Sequence, residues 1–272
     1  MEIIIKPKSR WWTFDWKEIL RFKDLFYYLT WRDVKVKYKQ TSVGVLWAIF
    51  QPFISMVIFT VFFGKLAQIP SDGIPYPIFV YTGLLFWTLF SSGLAQASDS
   101  FVANEKIVTK IYFPRIILPI SSIVTHVVDF FFAAIILGGL MLWYKVPLTL
   151  FAVLLTPLLL LLTIVSAVGI GLLFASINVK YRDVRFVLPF FIQLMLFVTP
   201  VIYPVSIVSD SYRWILGLNP MSGVIDAART GILGTGEIDV ALFGTSVVMM
   251  VVYCLLGYFY FKKTERYFAD VI

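Results

Sequence analysis

His126 and Asp129 are ionisable residues inside a long apolar run, three positions apart. On a helix that spacing sets both on one face, within reach of each other. Inside a membrane such a pair can relay protons or act as a catalytic dyad, and intramembrane charges mark function by default. The alternative is a mutually hydrogen-bonded pair that steadies a long helix, and that structural reading is preferred. Asp226 and Arg229 repeat the spacing, and there a salt bridge pinning two short helices together is expected.

Other chemistries lack material. Nothing matches G-x-x-x-x-G-K-[ST], and the nearest glycine cluster, at positions 231–236, is followed by Glu237. The chain should therefore not hydrolyse ATP itself. One histidine and one cysteine leave no zinc cluster, no thiol catalysis and no intrachain disulfide, so no metal or cofactor is expected on this chain. Cys254, in an apolar run, reads as a small apolar side chain.

The elements that must position these residues are membrane helices. Hydrophobic residues make up 60% of the 272 and charged residues only 14%, with a mean hydropathy of +0.87. Soluble domains have about 45–50% apolar and about 25% charged residues. Six runs are long enough to cross the bilayer: Val43–Leu66, Pro77–Ala97, Ile116–Tyr144, Leu148–Ile177, Phe186–Tyr203 and Val240–Phe261. The third and fourth predict tilt or extension beyond the hydrocarbon. Prolines 52, 119, 157, 189 and 200 predict kinks. The expected fold is all-α and integral to the membrane, without a separate soluble domain, a cleavable leader or internal repeats.

Net charge is +7, and its distribution points to a membrane rather than to nucleic acid. Lys and Arg number ten in the arm to Thr41, and three each in the loop after Asn104, the loop 178–185 and the tail from Lys262. Only Lys65, Lys145, Arg213 and Arg229 remain for the other side, which places both termini in the cytoplasm. Residues 1–42 form a cytoplasmic arm, 43–261 the six-helix domain and 262–272 a cytoplasmic tail. In the arm, Asp15 and Glu18 resemble a capping box, and Trp16, Ile19, Leu20, Phe26 and Leu29 recur at helical spacing, as in a helix lying among headgroups. The four cations of Trp31 to Gln40 should hold it to an anionic leaflet.

Two interruptions stand out. Ser206–Leu218 and Met221–Leu233, split by Asn219-Pro220, are each too short to span and fit a re-entrant pair beneath which a pathway runs. Asn104 to Arg115, NEKIVTKIYFPR, reads as a short helix capped by Asn104 and ended by Pro114. Ile107, Val108 and Ile111 share one face, and Lys106 and Lys110 another. It is either a rigid surface handle or a basic loop that only sets topology. Aromatic residues make up 18% of the chain, and Phe186, Phe190, Gln193 and Phe197 form a stripe, with Trp47 and Phe50 sharing a face in the first run. Such faces suit a sliding carbohydrate, whose C–H surfaces stack on rings without a fixed register; helix or lipid packing is the alternative.

Several of these pieces together resemble the type-2 ABC export permeases, and most closely those of bacterial polysaccharide exporters of the O-antigen kind. They are Leu29–Pro52, Asn104–Ser121, Asn178–Arg185 (NVKYRDVR), Thr199–Pro204 (TPVIYP) and Leu218–Gly223 (LNPMSG), in matching order along nearly the whole chain. The resemblance implies a six-helix permease working as a homodimer with two copies of a separate ATPase subunit that binds ATP and Mg. Within the loop 100–115 it implies a coupling helix for that ATPase, carried by Asn104, Glu105, Lys106, Ile107, Val108, Lys110, Ile111, Tyr112, Phe113 and Arg115. It makes the arm helix a second interface element and the short helices of 204–239 a periplasmic gate, with Tyr203, Trp214, Asn219, Asp226 and Arg229. It puts Trp47, Phe50, Phe186, Phe190, Gln193 and Phe197 on the substrate channel.

The expected function is export of a lipid-linked polysaccharide across the inner membrane, as in lipopolysaccharide biosynthesis. Exporters of teichoic acid, capsule, drugs or small lipids share the segments. From other classes, a proton-coupled carrier using His126 and Asp129 and a membrane transferase acting on lipid-linked sugars are the rivals.

Overall fold

Prolines and small residues decide where the helices of this chain stop and where they touch. The structure, a computed structural model, describes residues 16–39, 44, 46–181, 183–234 and 236–268. The Asp15 half of the expected capping box lies outside them. The described residues are helical and form no strand. In chain order the helices are α1 (Trp16–Arg21), α2 (Lys23–Lys39), α3 (Leu46–Phe59, continued by a π-helical stretch Thr60–Leu66), α4 (Tyr76–Ala103), α5 (Glu105–Lys110), α6 (Ile117–Trp143), α7 (Leu150–Lys180), α8 (Val184–Val198), α9 (Asp210–Gly217), α10 (Pro220–Leu233) and α11 (Val240–Thr264).

Five of them, α3 with its extension, α4, α6, α7 and α11, are long and apolar enough to cross a membrane. The expected fifth span differs. Helix α8 has 15 residues, about 22 Å at 1.5 Å per residue, and ends at Val198 instead of running to Tyr203. Thr199 takes an extended backbone (φ −73°, ψ 138°) because the ring of Pro200 bars it from the helical region. Residues 199–204 follow as mostly buried, irregular chain. The other prolines divide: Pro52, Pro157 and Pro189 sit inside helices, while Pro119 lies in the first turn of α6, where no kink is needed.

Helix α4 is the axis of the bundle and packs against α3, α6, α7, α8 and α10. Of its central stretch 78% is buried, against 11% for α3, so α3 holds on by one edge. Tyr81 on α4 donates to the Ala133 carbonyl at 2.9 Å, and Phe86 meets Phe130 edge-on with centroids 5.3 Å apart. A second core closes one end of the bundle. There Leu29 of α2, Phe101 of α4, Val108 of α5, Phe113, Leu172 of α7 and Phe261 of α11 are buried together with Phe268. Phe101, Phe261 and Phe268 form an aromatic trio with centroids 4.7–6.0 Å apart. The arm therefore docks through Ile19, Phe22, Leu25, Phe26 and Leu29, and Leu20, expected on that face, stays exposed.

The short-helix pair exists with shifted bounds. Asn219 caps α10 by accepting from the Met221 N–H at 3.0 Å, Pro220 takes the first helical position, and Gly234 (φ 72°) ends it. Helix α10 is buried among α4, α7 and α11, as non-spanning backbone inside a membrane protein must be.

Helices α7 and α11 meet backbone to backbone. A Cβ added at Gly257 would lie 2.0 Å from the Gly169 carbonyl oxygen. Gly257→Val is expected to lower the thermal unfolding transition of detergent-purified protein and to cost about 1–3 kcal/mol. Gly244→Ala, on the same helix with nothing within 4 Å of the added carbon, is expected to be neutral or slightly stabilising. Equal losses in both variants would show that the close contact is not what matters.

Candidate functional site

The segment 104–115 lies against the second core. Asn104 does not cap α5 with its side chain. Its Oδ1 accepts from Arg32 Nη2 of α2 at 2.9 Å, its Nδ2 donates to the Ser100 carbonyl at 2.8 Å, and its backbone carbonyl alone accepts from Ile107 and Val108. Val108 and Phe113 are buried and Ile107 half-buried. Ile111, expected on the apolar face, is exposed instead. The helix ends at Lys110 and Ile111 is extended (φ −126°, ψ 135°), so Phe113 takes the buried place. Glu105, Lys106, Lys110, Ile111 and Tyr112 all face outward.

Three side-chain contacts fix this exposed strip besides its core packing. Arg32 holds Asn104. The Tyr112 hydroxyl donates to Glu18 Oε1 of α1 at 3.1 Å, and partial burial followed by the Glu18 charge raises the phenol above its ordinary range. Arg115 donates to the Glu265 carbonyl and lies 5.9 Å from the Phe268 ring centroid. An outward strip of cations and apolar groups on a fixed base suits docking to another protein better than it suits chemistry.

His126 and Asp129 meet, with His126 Nδ1 3.0 Å from Asp129 Oδ2, and they are not alone. Lys37 and Tyr38 of α2 both donate to the Asp129 carboxylate, Lys37 Nζ lies 3.3 Å from His126 Nδ1, and His126 Nε2 is hydrogen-bonded to Gln96 of α4. Burial, then the bond to Asp129, lifts the Tyr38 phenol well above its usual value. The pair thus ties α2 to α6. Sequence spacing could not find Lys37 and Tyr38, about ninety positions away within a generally basic stretch.

The expected channel residues lie on two helices. Trp47 and Phe50 on α3 have centroids 6.1 Å apart and are exposed; Phe186, Phe190, Gln193 and Phe197 on α8 are exposed too. Among its residues α8 buries only Leu188, and α3 only Pro52 and Met56. Trp47 also borders a cleft of about 370 Å³ with Lys37, Tyr38, Gln51, Thr88 and Asp129.

At the other end the expected Asp226–Arg229 bridge is not among the ion pairs of the described residues. Arg229, 4% exposed, lies over the Phe79 ring and donates to the carbonyls of Phe79 (3.2 Å), Pro200 (2.6 Å), Val201 and Tyr203 (3.2 Å). The break after α8 frees backbone carbonyls inside the protein, and the guanidinium satisfies them. Asn219 Nδ2 donates to Thr199 Oγ1 at 2.6 Å, the Tyr203 hydroxyl to the Val198 carbonyl at 2.6 Å, and Trp214 is exposed on α9. Asp226 and Arg229 border one cleft together with Asp72, Arg213, Glu237 and Asp239. Burial, offset in part by Arg229, pushes the Asp226 carboxyl up to about 6.

Two measurements test these arrangements. Lys37→Asp or Asp129→Lys alone is expected to lower the thermal transition and to open α2 to protease, and the double swap to restore much of both. A swap no better than the single variants would remove the ion pair as the anchor. For Asp226 the folded state favours the protonated acid, so its contribution is intact below the ordinary value of 3.8 and fades as pH rises through about 6. Asp226→Asn is expected to raise the transition temperature near about pH 8 and to leave it unchanged near about pH 4.

A family model of the ABC-2 type transporter matches residues 24–233. The O-antigen export system permease protein RfbA of Klebsiella pneumoniae is 28% identical over 255 residues, covering 92% of this chain and 95% of the relative. RfbA of Myxococcus xanthus is 27% identical, with 86% and 91% covered. The polysialic acid transport protein KpsM of Escherichia coli is 25% identical, with 74% and 78% covered. The match spans most of the helices described above, from α2 to α10, and the chain is a multi-pass membrane protein of the ABC-2 type transporter family.

Proposed function

We propose that this chain is the permease subunit of an ABC exporter that carries a lipid-linked polysaccharide of the O-antigen type from cytoplasm to periplasm across the inner membrane. The observation that carries the reading is near full-length similarity to permeases whose names state O-antigen export. The similarity to a polysialic acid transporter supports a long glycan as the cargo class. Two copies of the chain enclose the pathway, and two ATPase subunits bind ATP and Mg. Both termini and the 104–115 strip lie in the cytoplasm, where the Lys and Arg are concentrated.

Helix α5 is the coupling helix in this reading. Closure of the ATPase dimer pushes on the strip of Lys106, Lys110, Ile111 and Tyr112. Because Val108 and Phe113 are packed in one core with the ends of α4, α7 and α11, the push reaches those helices without a compliant joint. Through Arg32–Asn104 it reaches α2, and through Lys37–Asp129 it reaches α6. The uncovered aromatic faces of α3 and α8 form the walls of the path, where sugar rings stack and release. Arg229 and Asn219 hold the α8–α9–α10 corner that closes its periplasmic mouth. With three side chains gathered on it, Asp129 acts as a docking point, which disfavours a proton-driven carrier.

The double charge reversal Lys106→Glu/Lys110→Glu is expected to reduce co-purification of the ATPase and ATP-dependent glycan export in vesicles by about tenfold or more. The thermal transition of the permease alone should be unchanged, because both side chains are exposed. Wild-type assembly and export in this variant would remove α5 as the coupling element.

A further inference from the structure

A second cleft, of about 690 Å³, opens between α2, α4 and α6 on the far side of the Lys37–Asp129 anchor. Arg32 and Asp33 form one wall, Gln96, Asp99 and Ser100 another, and Ser122 and His126 a third, with Asn104 at the end beside α5. The volume falls within the range of about 300–1,000 Å³ typical of small-molecule sites.

The charges in this cleft cancel. Asp33 lies 2.7 Å from Arg32, and Asp99 lies 3.2 Å from Arg185, which approaches from α8. An anionic ligand would meet two carboxylates and one guanidinium already engaged with Asp33 and Asn104. A cationic ligand would compete with an arginine for either carboxylate. What the walls offer is hydrogen-bonding capacity without surplus charge: carboxylate oxygens with unused lone pairs, an amide that both donates and accepts, and serine hydroxyls. Ser92, half-buried on α4, lines the same cleft. Val36, Ala95 and Ala103 supply small apolar surface between the polar groups.

That combination matches a neutral ring bearing several hydroxyls and apolar C–H faces. We propose that the cleft between α2, α4 and α6 binds one or two neutral sugar units. The export reading supplies only the source of the sugar, a unit of the exported glycan; the binding chemistry stands without it. A glycolipid headgroup carries the same chemistry and is the other source. The position beside Asn104 gives an occupied cleft direct contact with the segment that carries α5, so a bound sugar stiffens that segment from behind.

The test uses the full chain in nanodiscs and saturation-transfer NMR. The soluble probes are methyl hexopyranosides and N-acetylglucosamine; the lipid probe is monoglucosyl-diacylglycerol incorporated in the disc. Glycerol and inorganic phosphate are the controls. At least one sugar probe is expected to bind, with both controls silent. Binding of a soluble glycoside assigns the glycan as source, and binding of the glycolipid alone assigns the headgroup.

Ala95→Trp, which fills the cleft and removes no polar contact, is expected to weaken binding about tenfold or more, and Ser92→Ala about fivefold through a lost hydrogen bond to the sugar. Thermal transitions and ATPase co-purification are measured alongside, and Ser92→Ala keeps the test usable should the tryptophan variant misfold. Silence from every sugar probe, phosphate binding as strongly as sugar, or sugar binding undiminished in both variants overturns the proposal. Loss of ATPase co-purification in Ala95→Trp without any sugar binding overturns it too and makes the cleft a seat for the partner protein. Wild-type protein that binds sugar yet exports no glycan leaves this site standing and removes the export reading instead.

Discussion

A carboxylate part-way along a membrane-crossing helix has to be paired, because the cost of leaving an ion unaccompanied in low dielectric exceeds what any single contact supplies. Asp129 meets that requirement with Lys37, Tyr38 and His126, and two of those belong to a helix that lies outside the span set. The position of α2 follows from it. Once Lys37 is committed to α6, the preceding turns of α2 lie along the bundle end, where Leu29 joins the second core and Arg32 reaches Asn104. The arm is thus an integral layer of the protein, held by a polar anchor at one end and an apolar seal along its length.

The same requirement governs the opposite end through the backbone. Pro200 stops α8 short, and the carbonyls of Pro200, Val201 and Tyr203 are left inside the protein. Arg229 gathers them from α10, together with that of Phe79 on α4. A lysine could not reach so many acceptors at once, since the planar guanidinium spreads five donors in a fixed fork. At one end, then, Asp129 joins α2 to α6, with α4 added through His126 and Gln96, and at the other Arg229 alone joins three elements.

Much of this was legible in the sequence, and the failures have physical causes. Apolar run length located all five long helices, four of them to within three residues at each end, while α4 runs six residues past the expected Ala97. The fifth run misled because hydropathy does not register what Pro200 does to Thr199. Spacing correctly paired His126 with Asp129, since that contact lies within one helix. It wrongly paired Asp226 with Arg229, since an arginine facing bare carbonyls has better partners than a carboxylate whose charged form burial disfavours. Lys37, Tyr38, Gln96 and Arg32 left no local signature, because their partners are dozens of positions away and only the fold brings them together. Ile111 was misplaced by extending helical periodicity one residue past Lys110.

The glycine contact between α7 and α11 has a mechanical consequence. Two helices touching at bare backbone have no side chains whose rotamers could absorb sliding or rolling, and both also grip α10. With α4 packed into the same body, these four behave as a keel. Helices α3 and α8, by contrast, bury few residues and are held to the bundle along narrow seams. Side chains on α3 and α8 can therefore change with little cost to the bundle, because the close backbone contact that stiffens it lies elsewhere.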